Sequence, residues 1–211
     1  LLAPTMKGLP EAIQLIDQAI DRGQKIVIVG DYDADGATST ALMVLALRDI
    51  GAKVDYLVPD RFKYGYGLTP AIADLAFVNF TPDLLITVDN GISSHDGVKQ
   101  AQDHGMQVII TDHHLTTKLT PEAEAVVNPN QLGCNFPSKA LAGVGVAFYV
   151  LANLSTHRKK LGKSTTSIIN YLDLVALGTY ADVASLDYNN RILVDAGLKR
   201  IQQGHCRAGI S

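Results

Sequence analysis

Apolar residues recur along the chain in two rhythms. Residues 10–22 set Ala12, Ile13, Ile16, Ala19 and Ile20 at helical spacing, with Pro10 in the first turn and Gly23 placed to end the helix. Residues 25–29, KIVIV, form a short run with an unbroken apolar core, the pattern of a strand covered on both faces. Residues 37–50 return to helical spacing. Ala41, Leu42, Val44, Leu45, Ala46 and Leu47 make that helix apolar nearly all round, which predicts deep burial, and Gly51 suits its C-terminal cap. Strands are then predicted over 54–58, 84–88, 107–111 and 125–127. Helices are predicted from Thr69-Pro70 to about Phe77, and from Ser93 or Ser94 to His104.

Strands that alternate with helices in this way predict an α/β fold: a parallel five-stranded sheet with helices on both faces and right-handed crossovers. After about residue 130 the character changes. A turn-rich stretch, NPNQLGCNFPSK, leads into LAGVGVAFYVLANL, which reads as a buried helix. A basic segment follows at 156–163, in which His157, Arg158, Lys159 and Lys160 read as a solvated helix face. Further helices are expected near 165–177 and 190–203, with GTYADVASL on a loop between them. The expected organisation is a parallel α/β core over 1–135 and a helical lobe over 136–211.

Composition narrows the class. The chain has 211 residues, 47% of them hydrophobic and 18% charged, which is enough for a large core and excludes a disordered or fibrous chain. The net charge of −3 argues against a generally basic nucleic-acid coat but leaves room for a local patch. No apolar run reaches the length of a membrane span. Cys134 and Cys206 form no CxxC pair and are expected as free thiols. The first residue is Leu1 rather than Met, as expected of a piece of something longer.

Candidate chemistry gathers at strand ends. DYDADG follows the first strand, VDNG the third and TDHH the fourth. In an open parallel sheet all strand ends of one sense lie along one edge. Asp31, Asp33, Asp35, Asp89, Asp112, His113 and His114 are therefore expected to converge. Asp182, in GTYADVA, is placed on a loop able to close over the same edge. So many carboxylates repel one another unless cations sit among them, and carboxylate with imidazole suits Mg²⁺ or Mn²⁺. Two ions sharing a carboxylate is the arrangement used for displacement at phosphorus. DYDADG also opens like an EF-hand loop, but Leu42 stands where the twelfth position needs a bidentate Glu. Taken alone, Asp112 can merely cap its turn and His114 can be a structural histidine. The loop RFKYGYG, after the second strand, belongs to the same edge. Arg61 is a candidate for phosphate, Tyr64 and Tyr66 for bases, and Asn90 is a further candidate substrate contact. The alternative for that loop is a tyrosine-rich core segment.

In their order, DYDADG, VDNG, the DHH triplet at 112–114 and GTYADVASL resemble the four N-terminal motifs of the DHH phosphoesterase superfamily. LAGVGVAF and DRFKYGYGL resemble its RecJ family of single-strand-specific 5′→3′ exonucleases. The resemblance implies a cytoplasmic, monomeric enzyme of recombination and repair that uses two Mn²⁺ or Mg²⁺ ions and releases 5′-mononucleotides from single-stranded DNA with a 5′ end. Single-strand-binding protein or a helicase would be its protein partner, with no membrane association. It also implies roles: Asp33, Asp35, Asp89, His113 and Asp182 as metal ligands, with Asp89 bridging, and Asp31, Asp112 and His114 as catalytic groups. DHHA1 and oligonucleotide-binding domains are expected in the parent protein beyond Ser211. The alternative is a phosphodiesterase or pyrophosphatase for small nucleotides. Those relatives typically carry a His four residues before the position of Asp33, where Val29 stands here. A metal-free scaffold is the non-enzymatic alternative.

Overall fold

The computed structural model describes residues 1, 3–116 and 119–210. Among them, five parallel strands form one sheet in the order β2-β1-β3-β4-β5. They are β1 (Lys25–Val29), β2 (Lys53–Leu57), β3 (Leu84–Val88), β4 (Gln107–Thr111) and β5 (Ala125–Val127). The helices are α1 (Leu9–Asp21), α2 (Ala34–Asp49), the single turn α3 (Arg61–Tyr64), α4 (Pro70–Phe80), α5 (His95–Asp103), α6 (Gly143–Lys160), α7 (Leu172–Ala181) and α8 (Tyr188–Gln202). A 3-10 turn, Ile168–Tyr171, precedes α7. The parallel α/β expectation holds, with helices on both faces.

Strand alternation divides the side chains between two cores. Ile26, Ile28, Leu84, Ile86, Val88 and Ile109 face α1, α2, α6 and α7. Val27, Val29, Leu85, Val108 and Ile110 face α4 and α5. The C-terminal helices do not stand apart: Val146, Val150, Leu174 and Val175 join the first of these cores.

Four local expectations are corrected. First, α2 begins at Ala34, because Asp33 caps it by accepting a hydrogen bond from the Gly36 N–H at 2.9 Å. Second, one flank of α2 is uncovered. Leu45 is 37% exposed and lines an open groove with Ala37, Ala41, Tyr56 and Val58. Third, the helix expected near 165–177 lies further on as α7, so GTYA is helical and Asp182 sits at its C-terminal cap rather than on a loop. Fourth, Arg158 is buried rather than solvated. Its Nη1 lies 2.5 Å from Asp17 on the inner side of α1 and 3.3 Å from Asp21, and Lys163 bonds the same two carboxylates. A buried Asp17 needs partners, and the basic end of α6 supplies them. Both cysteines are free, as expected. Among the described residues no helix is long and apolar enough to cross a membrane.

Candidate metal centre at the strand ends

The chain runs from β1 outward to β2, then crosses back to β3 on the other side of β1. The carboxyl ends of β1 and β3 thus flank a topological switch point, where an open α/β sheet forms a crevice. Asp31, Asp33 and Asp35 follow β1, and Asp89 follows β3 directly.

Each acid is held differently. Asp31 Oδ1 accepts from the Tyr32 N–H and from Arg61 Nη2, both at 2.6 Å. Asp33, exposed, spends Oδ1 on its cap and points Oδ2 to within 3.9 Å of Arg61. Asp35, buried in the first turn of α2, accepts from the Gly143 N–H at 2.6 Å and the Val144 N–H at 2.9 Å. Gly36 lets α2 close on the loop: a Cβ there would come within 2.5 Å of the Asp31 carbonyl oxygen. Asp89 adopts a left-handed backbone (φ 61°), and it lies so near α6 that a Cβ on Gly143 would sit 2.7 Å from its own Cβ.

His113 stands among three of these carboxylates. Its Nε2 lies 3.1 Å from Asp89 Oδ1 and 3.8 Å from Asp35 Oδ2, and its Nδ1 lies 4.0 Å from Asp182 Oδ2. His113 meets Asp89 Oδ1 as an ion pair, and that buried oxygen has no hydrogen-bond partner. Among the described residues, potential ligand atoms fall into three overlapping groups, each within 4.8 Å: Asp89, His113 and His114; Asp35, His113 and Asp182; Asp31, Asp33 and Asp89. Asp89 and His113 each belong to two of them.

The electrostatics of the crevice are those of crowded, buried acids around one imidazole. Burial pushes the Asp89 carboxyl up to about 7, with Asp35 and Asp33 adding repulsion against the opposing pull of His113. Burial also raises Asp35, against the pull of its two backbone donors and of His113. Burial works against a charged His113, but Asp89, then Asp35 and Asp182, overcome it and raise the imidazole to about 9. An orphaned carboxylate oxygen among crowded acids fits a divalent cation, and oxygen with one or two imidazoles fits Mg²⁺ or Mn²⁺ better than structural zinc.

The remaining candidates separate. Asp112 is fully buried. Its Oδ2 accepts from the Ile92 N–H, and its Oδ1 takes the N–H groups of His113 and His114 and lies 2.7 Å from His114 Nδ1. These bonds fix the DHH turn against the segment that follows β3. Asp112 raises the His114 imidazole by that bond, while burial opposes it. His114 in turn lies 3.3 Å from the Tyr66 hydroxyl. Arg61 stacks loosely on the Tyr66 ring, 5.7 Å from its centre, so these two loop residues do reach the site. Tyr64 does not; its ring packs on the core shared by α4 and α5. Asn90 is buried and donates through Nδ2 to the Val29 and Val88 carbonyls, tying β1 to β3 across the switch point, while its Oδ1 has no hydrogen-bond partner. Sequence reasoning passed over Asn128 and Asn130, which bond the carbonyls of His114 and His113. The NPN triplet at the end of a strand was the available signal.

A family model described as the DHH family, N-terminal domain, matches residues 25–179. The chain belongs to the DHH family. It is similar to the single-stranded-DNA-specific exonuclease RecJ of Escherichia coli K12, at 51% identity over 97% of this chain and 37% of the relative. The Haemophilus influenzae protein of the same name is 54% identical over 96% of this chain and 36% of its own length. This DHH chain therefore spans a little over a third of the length of these curated relatives. Among solved structures, one of exonuclease RecJ bound to manganese superposes with a TM-score of 0.83 at 39% identity, over 96% of this chain and 50% of that one. RecJ from Thermus thermophilus in complex with Mg²⁺ gives a TM-score of 0.62 at 34% identity, over 94% of this chain and 24% of that one.

Proposed function

We propose that this chain is the metal-dependent catalytic part of an exonuclease for single-stranded DNA, hydrolysing phosphodiester bonds from a 5′ end and releasing 5′-mononucleotides. The observation that carries this reading is the orphaned Asp89 oxygen within overlapping groups of acids and imidazoles at the switch point, in a chain half identical to RecJ. On this reading Asp33, Asp35, Asp89, His113 and Asp182 would hold two Mn²⁺ or Mg²⁺ ions, and Asp89 belongs to two of the candidate ligand groups. Bound there, such ions would lower the pKa of water and offset charge on phosphoryl oxygens.

The chain's own residues do the rest. Arg61, held by Asp31, presents a guanidinium to a phosphate. Tyr66, half exposed, and Tyr32, 65% exposed, offer ring faces for bases. His114, oriented through Nδ1 by Asp112, is placed to give a hydrogen bond or a proton to an oxygen of the scissile phosphate. Residues 1–135 and 136–211 work as one catalytic unit, because Asp182 and the start of α6 complete a site begun on the sheet. A cytoplasmic monomer that meets single-strand-binding protein or a helicase on its substrate is the setting this reading implies.

The test is Mn²⁺-dependent release of mononucleotides from a 5′-phosphorylated single strand, with Asp89→Ala as control. Full activity in Asp89→Ala would sink the reading. Faster turnover of dinucleotides or pyrophosphate than of long strands would favour the small-nucleotide alternative. Against that alternative stands Val29, an apolar, fully buried side chain with no ligand to offer.

A further inference from the structure

The His113–His114 pair lies outside any helix or strand, yet all four of its backbone polar groups are satisfied, and by side chains alone. Both N–H groups donate to Asp112 Oδ1, at 2.7 and 3.1 Å. The His113 carbonyl accepts from Asn130 Nδ2 at 2.6 Å, and the His114 carbonyl accepts from Asn128 Nδ2 at 3.0 Å. The two asparagines form one device. Asn128 Oδ1 accepts the Asn130 N–H at 2.7 Å, so its amide nitrogen must face His114. Asn130 Nδ2 donates to two carbonyls at once, those of His113 and Lys139, which only a nitrogen can do. The turn carrying them is anchored in its own right, since Lys139 Nζ donates to the Pro129 and Cys134 carbonyls.

We propose that Asn128 and Asn130 are positioning residues for the metal centre: they clamp the histidine pair from the end of β5 and fix where the His113 and His114 rings stand. Both amides meet the histidine pair through their nitrogens, which donate hydrogen bonds and cannot ligate a metal, so their contact with the pair is one of support. The work of the clamp is geometric. His113 keeps 3.1, 3.8 and 4.0 Å approaches to carboxylates on three different elements. A ring free to drift by about 1 Å would lose that register, and supporting residues around metal ligands are typically worth about 10- to 100-fold in affinity.

The inference rests on the metal-dependent reading above, so the experiment separates the two. Mn²⁺ binding is measured by calorimetry on the wild-type chain, Asn130→Ala and Asn130→Ser, alongside melting curves of the metal-free proteins and steady-state kinetics on a single strand. Asn130 is only partly buried, so its variants leave the core intact, and Ser retains one short donor. The expected result is Mn²⁺ affinity about 10- to 100-fold lower in Asn130→Ala, an intermediate loss in Asn130→Ser, a lower kcat, an unchanged KM for the strand, and cooperative melting. A purely structural role would shift melting and leave metal affinity and kcat where they were, and that outcome overturns the clamp. If wild-type chain bound no Mn²⁺, the metal-dependent reading would fall and the clamp with it.

Discussion

The Asp35 carboxylate caps a helix that begins more than a hundred positions later in the chain. Gly143 donates its N–H to Asp35 Oδ2 at 2.6 Å and Val144 donates to Oδ1 at 2.9 Å, and α6 has no side-chain cap of its own at Ala142. One acid therefore faces the crevice and also holds the main helix of the C-terminal half against α2.

Replacing Asp35 should thus cost stability even without metal. Asp35→Ala leaves two buried N–H groups without their acceptor and is expected to lose about 1–2 kcal/mol in the metal-free protein. Asp182→Ala is the comparison. Asp182 is partly exposed and its nearest charged partner, His113, is 4.0 Å away, so its removal should change metal-free stability by no more than about 0.5 kcal/mol. Urea denaturation in the presence of chelator distinguishes them, and equal midpoints for the two variants would refute the capping role.

Gly143 is where α6 touches the acid of β3. A methyl group there would press on Asp89 Cβ at 2.7 Å and Oδ1 at 2.8 Å. Gly143→Ala should therefore cost about 1–3 kcal/mol by overpacking and weaken Mn²⁺ binding together with it. A variant that matched wild type in both melting temperature and calorimetric affinity would show that α6 can simply move aside.

Val183 occupies the position after the cap of α7 with φ 54°, a left-handed conformation that glycine adopts freely and a β-branched residue resists. The turn is complete around it: the Val183 N–H reaches the Tyr180 carbonyl, and the Ala184 N–H reaches that of Thr179. Its side chain is 87% exposed, so Val183→Gly removes strain and little packing. We expect a gain of about 1 kcal/mol, read by thermal or chemical denaturation. A loss of stability instead would mean that the Val183 side chain contributes packing that outweighs the strain.

The crowding of acids around His113 predicts a sense of pH dependence. Folding raises Asp89 from 3.8 to about 7 and His113 from 6.5 to about 9. Both groups bind protons more tightly folded than unfolded. Their contribution to stability is full at low pH; it is lost as pH rises through about 7 for Asp89 and about 9 for His113. Metal binding must displace those protons, so Mn²⁺ affinity should rise between about pH 6 and 9 with proton release. Calorimetry in buffers of different ionisation enthalpy measures that release directly. Affinity independent of pH across this range would contradict the proton-loaded state of Asp89 and His113.

Much of this was legible along the chain because its carriers are local. Short, mainly apolar runs bounded by turn residues read as strands covered on both faces, and their alternation with helices leaves a parallel sheet as the economical solution. Once the sheet is parallel, DYDADG, VDNG and DHH must meet at one edge, and Asp89, Asp35 and His113 do. The order of those motifs carries the family resemblance without any coordinate.

What the chain order could not carry is anything that depends on which atoms meet. Asn90 follows Asp89, and its amide nitrogen is consumed by two strand carbonyls while its Oδ1 is buried without a partner. Asp112 belongs to the DHH triplet, yet its carboxylate is spent on the backbone of Ile92 after β3 and on the two histidines that follow it. Tyr64 and Tyr66 are two positions apart, and only Tyr66 reaches His114. Arg158 sits in a run of basic residues that reads as solvated, and it is buried against Asp17. Pattern determines secondary structure and strand ends because backbone periodicity decides them. Long-range hydrogen bonding decides the rest. The capping of α6 by Asp35 and the clamping of the histidines by Asn128 and Asn130 join groups whose pairing exists only once the sheet has closed.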